Sequence, residues 1–224
     1  MHIPDGILPI TVCAAGYATT GTATWYSLRK INQQEDPQAG IPKAALLASA
    51  FFVASWIHIP VPPTSVHLIL NGLLGVVLGY YAFPAILIGL FFQAIMFQHG
   101  GLTTLGVNAT MMGVPALLAH TIFQLRGRLG RPDSQFLNAL FGFLGGTVGL
   151  GLAAAIAFYL LITTIPANID LAAERASIIT LMTAHVPLAL IEGVFTAMLV
   201  VFLQKVKPEL LEAVGSQRQP HPVS

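Results

Sequence analysis

A chain of 224 residues that is 55% hydrophobic and only 8% charged is not an ordinary soluble domain, in which about a quarter of the residues carry charge. A formal net charge of +1 leaves no electrostatic footprint for nucleic acid. The single cysteine, Cys13, excludes an internal disulfide framework and a cysteine-based zinc site, and reads as a small apolar packing residue.

The opening, Met1-His2-Ile3-Pro4-Asp5-Gly6, carries Asp5 and lacks a basic segment, so it does not read as a cleavable signal peptide. The bulk of His2 discourages removal of Met1. With Met1 kept, the α-amino group, the His2 amide nitrogen and the His2 imidazole form a contiguous run of nitrogen donors. Wrapped on one ion, they close two fused chelate rings and leave one corner of a square plane open. Such a field suits Ni(II), Cu(II) or a similar late transition ion. Chain starts are also the usual place for a frayed, solvated segment, and the opening by itself fits that reading too.

Long apolar runs follow, separated by short polar loops. Spans are expected at Ile7–Leu28, Ala44–Ile59, His67–Tyr81, Pro84–Gln98, Val107–Leu125, Phe136–Ile162 and Ile178–Leu203. Some are short for a bilayer that needs about 20 residues, so the positive-inside rule arbitrates. With the N-terminus outside and seven crossings, Arg29, Lys30, Lys43, Arg126, Arg128, Arg131, Lys205, Lys207 and Arg218 fall on the cytoplasmic side, and Arg175 falls outside. Counting His67–Gln98 as one crossing would put the Arg126–Arg131 cluster on the wrong face. The expected class is an all-α membrane protein of about seven transmembrane helices, its N-terminus outside and its C-terminus cytoplasmic. One polytopic domain is expected over residues 1–215, with a polar, disordered tail over 216–224.

That topology brings His2, His58, His67, His99 and His185 to the outer side or just beneath it. His120 reads as a core histidine, and His221 falls in the tail. His67 is the preferred fourth ligand, because the stiff stretch Pro60-Val61-Pro62-Pro63 fixes where the third span begins. It reads equally as an interfacial residue capping a helix. The next unusual segment, Gln98-His99-Gly100-Gly101-Leu102-Thr103-Thr104-Leu105-Gly106-Val107-Asn108, is uncharged but rich in amides, hydroxyls and glycines. It reads either as a lid over a metal site or as a plain surface connection. Asn71, Gln93 and Glu192 are polar within spans and could join that surrounding or tie helices together. Gly142, Gly145, Gly146 and Gly149, and more weakly Ala14 and Ala18, allow close helix approach, within the chain or to a partner. Walker A and H-E-x-x-H motifs are absent.

Met1-His2-Ile3-Pro4-Asp5-Gly6-Ile7-Leu8-Pro9, His67 with Asn71-Gly72, and His99 through Asn108 resemble the CbiM/NikM family, the substrate-binding S components of energy-coupling-factor importers for cobalt and nickel. The resemblance covers nearly the whole chain. It implies that the N-terminus folds back into the bundle, with the Met1 amine, His2 amide, His2 ring and His67 ring as a square of four nitrogens. Asp5, Asn71, Gln98, His99, Thr103 and Asn108 become candidates for the surrounding shell or lid. It also implies several partners: a transmembrane T subunit (NikQ- or CbiQ-like), ABC ATPases (NikO- or CbiO-like) and a small accessory subunit (NikN- or CbiN-like), in a bacterial or archaeal cell membrane. Relatives fused to the accessory domain are longer, and this chain is expected to lack that extension. The Met-His-Ile-Pro-Asp-Gly form resembles the nickel branch, and a deprotonated amide in a planar field favours low-spin Ni(II). Nickel is therefore the expected substrate, with cobalt as the alternative. A membrane enzyme using metal or haem is the rival reading, and ATP hydrolysis is assigned to the partners.

Overall fold

The computed structural model describes residues 2–61, 64–128, 134–164 and 171–211. Within them lie seven α-helices: α1 (Ile10–Ile31), α2 (Ile41–Ala54), α3 (Asn71–Leu78), α4 (Ala82–Phe97), α5 (Leu105–Arg128), α6 (Gln135–Thr163) and α7 (Leu171–Val206). A two-stranded antiparallel ribbon, β1 (His58–Val61) and β2 (Thr64–His67), separates α2 from α3. The tail expected over 216–224 lies outside the described residues, as does His221.

The ribbon changes the expected second and third spans. α2 stops at Ala54, and Pro60 lies within β1. Proline inside a helix forfeits a backbone hydrogen bond and crowds the preceding turn, whereas the β-branched Ile59, Val61, Thr64 and Val66 suit extended backbone. His67 is therefore the last residue of β2 rather than a helix start, and it pairs in register with His58. Among the described residues, four helical stretches are long and apolar enough to cross a bilayer: Asn71–Phe97, which takes α3 and α4 together, Leu105–Arg128, Gln135–Thr163 and Ala172–Val206. α1 has 22 residues but is richer in threonine. Thr19 and Thr22 donate to carbonyls one turn earlier in the same helix, and Thr20 donates to Gly106 of α5 at 2.7 Å.

Contacts fix the relative directions. In α1 and α5, Gly16 meets Val107 and Thr20 meets Thr110, so these helices are parallel. In α3 and α5, Asn71 bonds the Met112 carbonyl, Gly75 meets Ala116 and Gly79 meets His120, again in parallel. α2 and α4 share the pairs Phe51–Gly89 and Ser55–Gln93. α6 runs against α3 and α7, through Gly149–Gly72 with Gly145–Val76, and Gly142–Val200 with Gly146–Glu192. One end of the bundle gathers the basic residues. There Lys43 donates to the Val77 and Leu210 carbonyls, both at 3.0 Å, and Arg126 donates to Leu211 at 3.1 Å. Tyr81, between α3 and α4, bonds Gln34 and Pro37 in the α1–α2 connection at that same end.

Glycine governs the tightest approaches. A Cβ on Gly72 would stand 2.6 Å from the Gly145 carbonyl oxygen, closer than side chains pack. Gly142, Gly145, Gly146 and Gly149 are all buried against α3 and α7. Among the two uses expected of that seam, internal packing is the one it serves. Ala14 and Ala18 stay exposed on α1.

Candidate metal centre

The N-terminal segment is stitched onto the start of α5. Asn108 uses both ends of its amide on one residue, accepting from the Ile3 N–H and donating to the Ile3 carbonyl, each at 3.0 Å. The Thr104 hydroxyl donates to the same carbonyl at 2.7 Å, and Ile3 is buried. Two residues on, Asp5 accepts from the N–H groups of Leu102, Thr103 and Thr104 and from the Thr103 hydroxyl. These amides precede α5 at a helix end, where donors lack intrahelical partners and the dipole favours negative charge. The Thr103 hydroxyl, and then the three amides, hold the Asp5 carboxyl below its ordinary pKa. Asp5 thus caps a helix that begins about a hundred residues later in the chain.

Gly101 leaves room for this. A Cβ there would overlap the Asp5 carboxylate. Gly101→Ala should therefore push Asp5 off the loop amides and weaken metal binding by about ten- to a hundredfold, as loss of an outer support does at other metal sites. Isothermal titration of the variant beside the wild type checks this.

His67 approaches from the ribbon. Its Nδ1 lies 2.9 Å from the Leu68 carbonyl oxygen. A carbonyl only accepts, so Nδ1 carries the proton and the lone pair is on Nε2. The chain then turns sharply. Leu70 sits at φ 57°, in the left-handed region, before α3 starts at Asn71. The buried Glu192 of α7 accepts from the Ile69 and Leu70 N–H groups and holds this elbow.

Three imidazoles meet here. His2, His67 and His99 each offer a ligand nitrogen, and these atoms all lie within 4.8 Å of one another. The His2 and His67 rings stack at 5.2 Å with 23° between their planes. His99 stands across both, at 4.1 Å from His2 and 5.2 Å from His67, tilted by 64° and 65°. Both His2 ring nitrogens are sealed from solvent without a hydrogen bond of good geometry. Burial, then the adjacent N-terminal charge and the other two imidazoles, pull the His2 pKa well below its ordinary value, with a partial offset from Gln93. The sign follows from linkage. A free segment takes up a proton as pH falls below about 6.5, whereas the docked ring resists it. Docking of His2 is thus fully favoured above that value and weakens below it. A neutral, buried imidazole beside two others forms a set of nitrogen donors suited to a late transition metal.

Several expected residues converge and others do not. Asp5, Thr103 and Asn108 all hold the N-terminal segment. His99 belongs to the ring cluster itself rather than to its surroundings. Gln98, at φ 54°, caps α4 and turns the chain toward His99, with its own residue exposed. The Asn71 amide donates to the Met112 and Gly149 carbonyls, so it ties α3 to α5 and α6. Met1 lies outside the described residues, as does the His58 side chain. His120 packs edge-on to Tyr80 at 5.0 Å near the basic end, and the His185 Nδ1 donates to the Leu181 carbonyl within α7. Sequence reasoning passed over Thr104. Its signal was the repeated hydroxyl just before α5, where helix-end amides need partners.

The chain is similar to known proteins along nearly its whole length. A family model described as CbiM, cobalt uptake substrate-specific transmembrane region, matches residues 2–210. A Haemophilus influenzae protein named for metal transport is 36% identical over 214 residues, which are 94% of this chain and 97% of the relative. The fused nickel transport protein NikMN of Rhodobacter capsulatus is 31% identical over 228 residues, covering 94% of this chain and 64% of that longer protein. A crystal structure of a transition metal transporter matches with a TM-score of 0.76 at 28% identity, over 92% of this chain and 93% of the other. Since the family match runs nearly from end to end of an apolar helical chain, the protein belongs to the CbiM family of substrate-specific transmembrane regions.

Proposed function

We propose that the protein is the metal-capturing membrane component of an importer, and that it binds Ni(II), with Co(II) as the alternative, at its N-terminal end. The Met1 amine, the deprotonated His2 amide, the His2 ring and the His67 Nε2 would complete a plane of four nitrogens. The observation that carries this reading is the convergence of His2 and His67 where the N-terminal segment is pinned by Asp5 and Asn108. A cobalt family description and a nickel-named relative support a cargo of this class.

The same reading gives seven crossings with the metal end outside. The alternating helix directions support it, as does the gathering of Lys43 and Arg126 with Arg29, Lys30, Arg128, Lys205 and Lys207 at the opposite end. A transmembrane T subunit and ATPase subunits, with a small accessory subunit, would supply the energy for delivery inward. Residues 1–215 would act as one domain.

The test uses purified protein with its native N-terminus beside a sample carrying one extra residue before Met1. Elemental mass spectrometry should find one nickel per chain in the first and none in the second, because the extension converts the amine to an amide. Equal metal in both would remove the chelate. The donors must also lose protons to bind. Affinity should thus fall by roughly tenfold or more per pH unit below about 6.5. Titrations between neutral and mildly acid pH measure that slope.

A further inference from the structure

Gln93 is fully buried in α4, an otherwise apolar helix. A primary amide at that depth is costly unless its donors and its acceptor are used. Its nitrogen is used: Nε2 donates to the Ser55 hydroxyl oxygen, at the end of α2, over 2.9 Å. That contact also fixes which way the amide faces. Ser55 spends its own proton on the Phe52 carbonyl at 2.8 Å, so its oxygen is left to accept, and only the amide nitrogen suits it. The Gln93 Oε1 is therefore turned away from α2, and it is buried without a donor.

What lies on that side is the His2 ring. The Gln93 side chain is within reach of this imidazole, and both ring nitrogens are buried without a well-aligned partner. A neutral imidazole has one N–H to give, and the amide has one oxygen to receive it. The Gln93 backbone serves the same cluster, because its carbonyl accepts from the His99 N–H at 3.2 Å.

We infer that Gln93 is a positioning residue for His2: its Oε1 accepts the imidazole N–H, fixes the tautomer and leaves the other ring nitrogen to the metal. The inference rests on the reading of His2 as a ligand. His67 obtains the same service from the Leu68 carbonyl, so both ligand rings would have an oxygen that sets the tautomer in advance. Ser55 is the next link, since by holding the amide nitrogen it decides which end faces the ring. A ring without an acceptor divides between two tautomers, and only one of them presents the lone pair on the required side. A plain tie between α2 and α4 would use the Ser55 bond and have no need of the oxygen.

The test uses untagged protein in detergent with isotopically labelled histidine: wild type, Gln93→Met, Gln93→Glu and Ser55→Ala. Methionine keeps the length without the amide, and glutamate keeps an oxygen toward the ring. Nitrogen NMR of metal-free samples, at a pH well above about 6.5, reads which ring nitrogen carries the proton. A His2→Phe sample assigns the His2 signals. Wild type should show one tautomer at His2, Gln93→Met a mixture, and Gln93→Glu the wild-type tautomer again. Nickel affinity should fall about ten- to a hundredfold in Gln93→Met and largely recover in Gln93→Glu. Ser55→Ala, which deletes one hydroxyl and little bulk, should also give a mixture, and it carries the test if the methionine variant fails to fold. An unchanged His2 pattern in the variants overturns the positioning role, as does a mixture already present in wild type. A changed pattern with unchanged nickel affinity overturns it too. The tautomer is read without metal, so nickel binding that survives an added residue before Met1 would remove the chelate and leave the tautomer result as read.

Discussion

His67→Ala is expected to yield a folded protein that retains almost no nickel at micromolar concentrations. The residue ends β2 and packs against the His2 ring, so its loss removes one ring from the cluster. Four-donor sites are worth on the order of 10 kcal/mol or more, and one donor in four is then about 3 kcal/mol, or roughly two orders of magnitude in affinity. Preorganisation adds to that. The Leu68 carbonyl fixes the His67 tautomer in advance, and a replacement ligand would have to be ordered on binding. His2→Ala should lose as much, because it removes the ring while keeping the amine and amide. Dialysis against radioactive nickel, with melting curves to show that each variant is folded, measures both. Retention of wild-type affinity in His67→Ala would shift the fourth corner to another residue.

Glu192→Ala should produce the largest fall in stability. The carboxylate is 1% exposed and accepts from two buried amides, those of Ile69 and Leu70. Removing it strands both donors, at about 1–3 kcal/mol each. Set against a total of about 5–15 kcal/mol for a folded domain, that is a substantial share. The same bonds also hold Leu70 in its left-handed conformation, which a branched side chain rarely adopts. Metal affinity should fall too, because the elbow sits just beyond His67. Glu192→Gln keeps one acceptor and turns an amide donor toward the other N–H, so its melting temperature should lie between wild type and alanine. Thermal unfolding in detergent, followed by size-exclusion chromatography, tests the order. An alanine variant as stable as wild type would mean that these amides find other partners.

The helical, membrane-type character was legible because composition and long apolar runs leave few alternatives. The ribbon was not. Its first strand carries Ile59 and Val61 straight after Trp56 and Ile57, and periodicity cannot separate a short strand from a helix end there. The prolines were noted as stiff, but the pairing of two such short strands depends on contacts made elsewhere. Asp5 and Asn108 were singled out from position, yet their role depends on a meeting of residues 3–5 with 101–108 that no local pattern encodes. His99 was read as part of a lid. The left-handed backbone at Gln98 and Gly100, which aims it inward, is visible only in three dimensions.

The interlock of α1 with α5 has a kinetic consequence. Gly16 admits Val107, Gly106 admits Tyr17, and the threonines between them bond across, so neither helix can slide without opening both. The part left to move before α1 is the strap over residues 2–9, held by the bonds of Ile3 and Asp5. If the ion is held as proposed, loading it is a small folding reaction of that strap. Its rate belongs to the nanosecond-to-microsecond range of loops rather than to helix rearrangement. Part of the intrinsic affinity is consumed in ordering it. On that reading an ion that arrives before the strap has docked would meet an incomplete set of donors and would be held only once the strap closes.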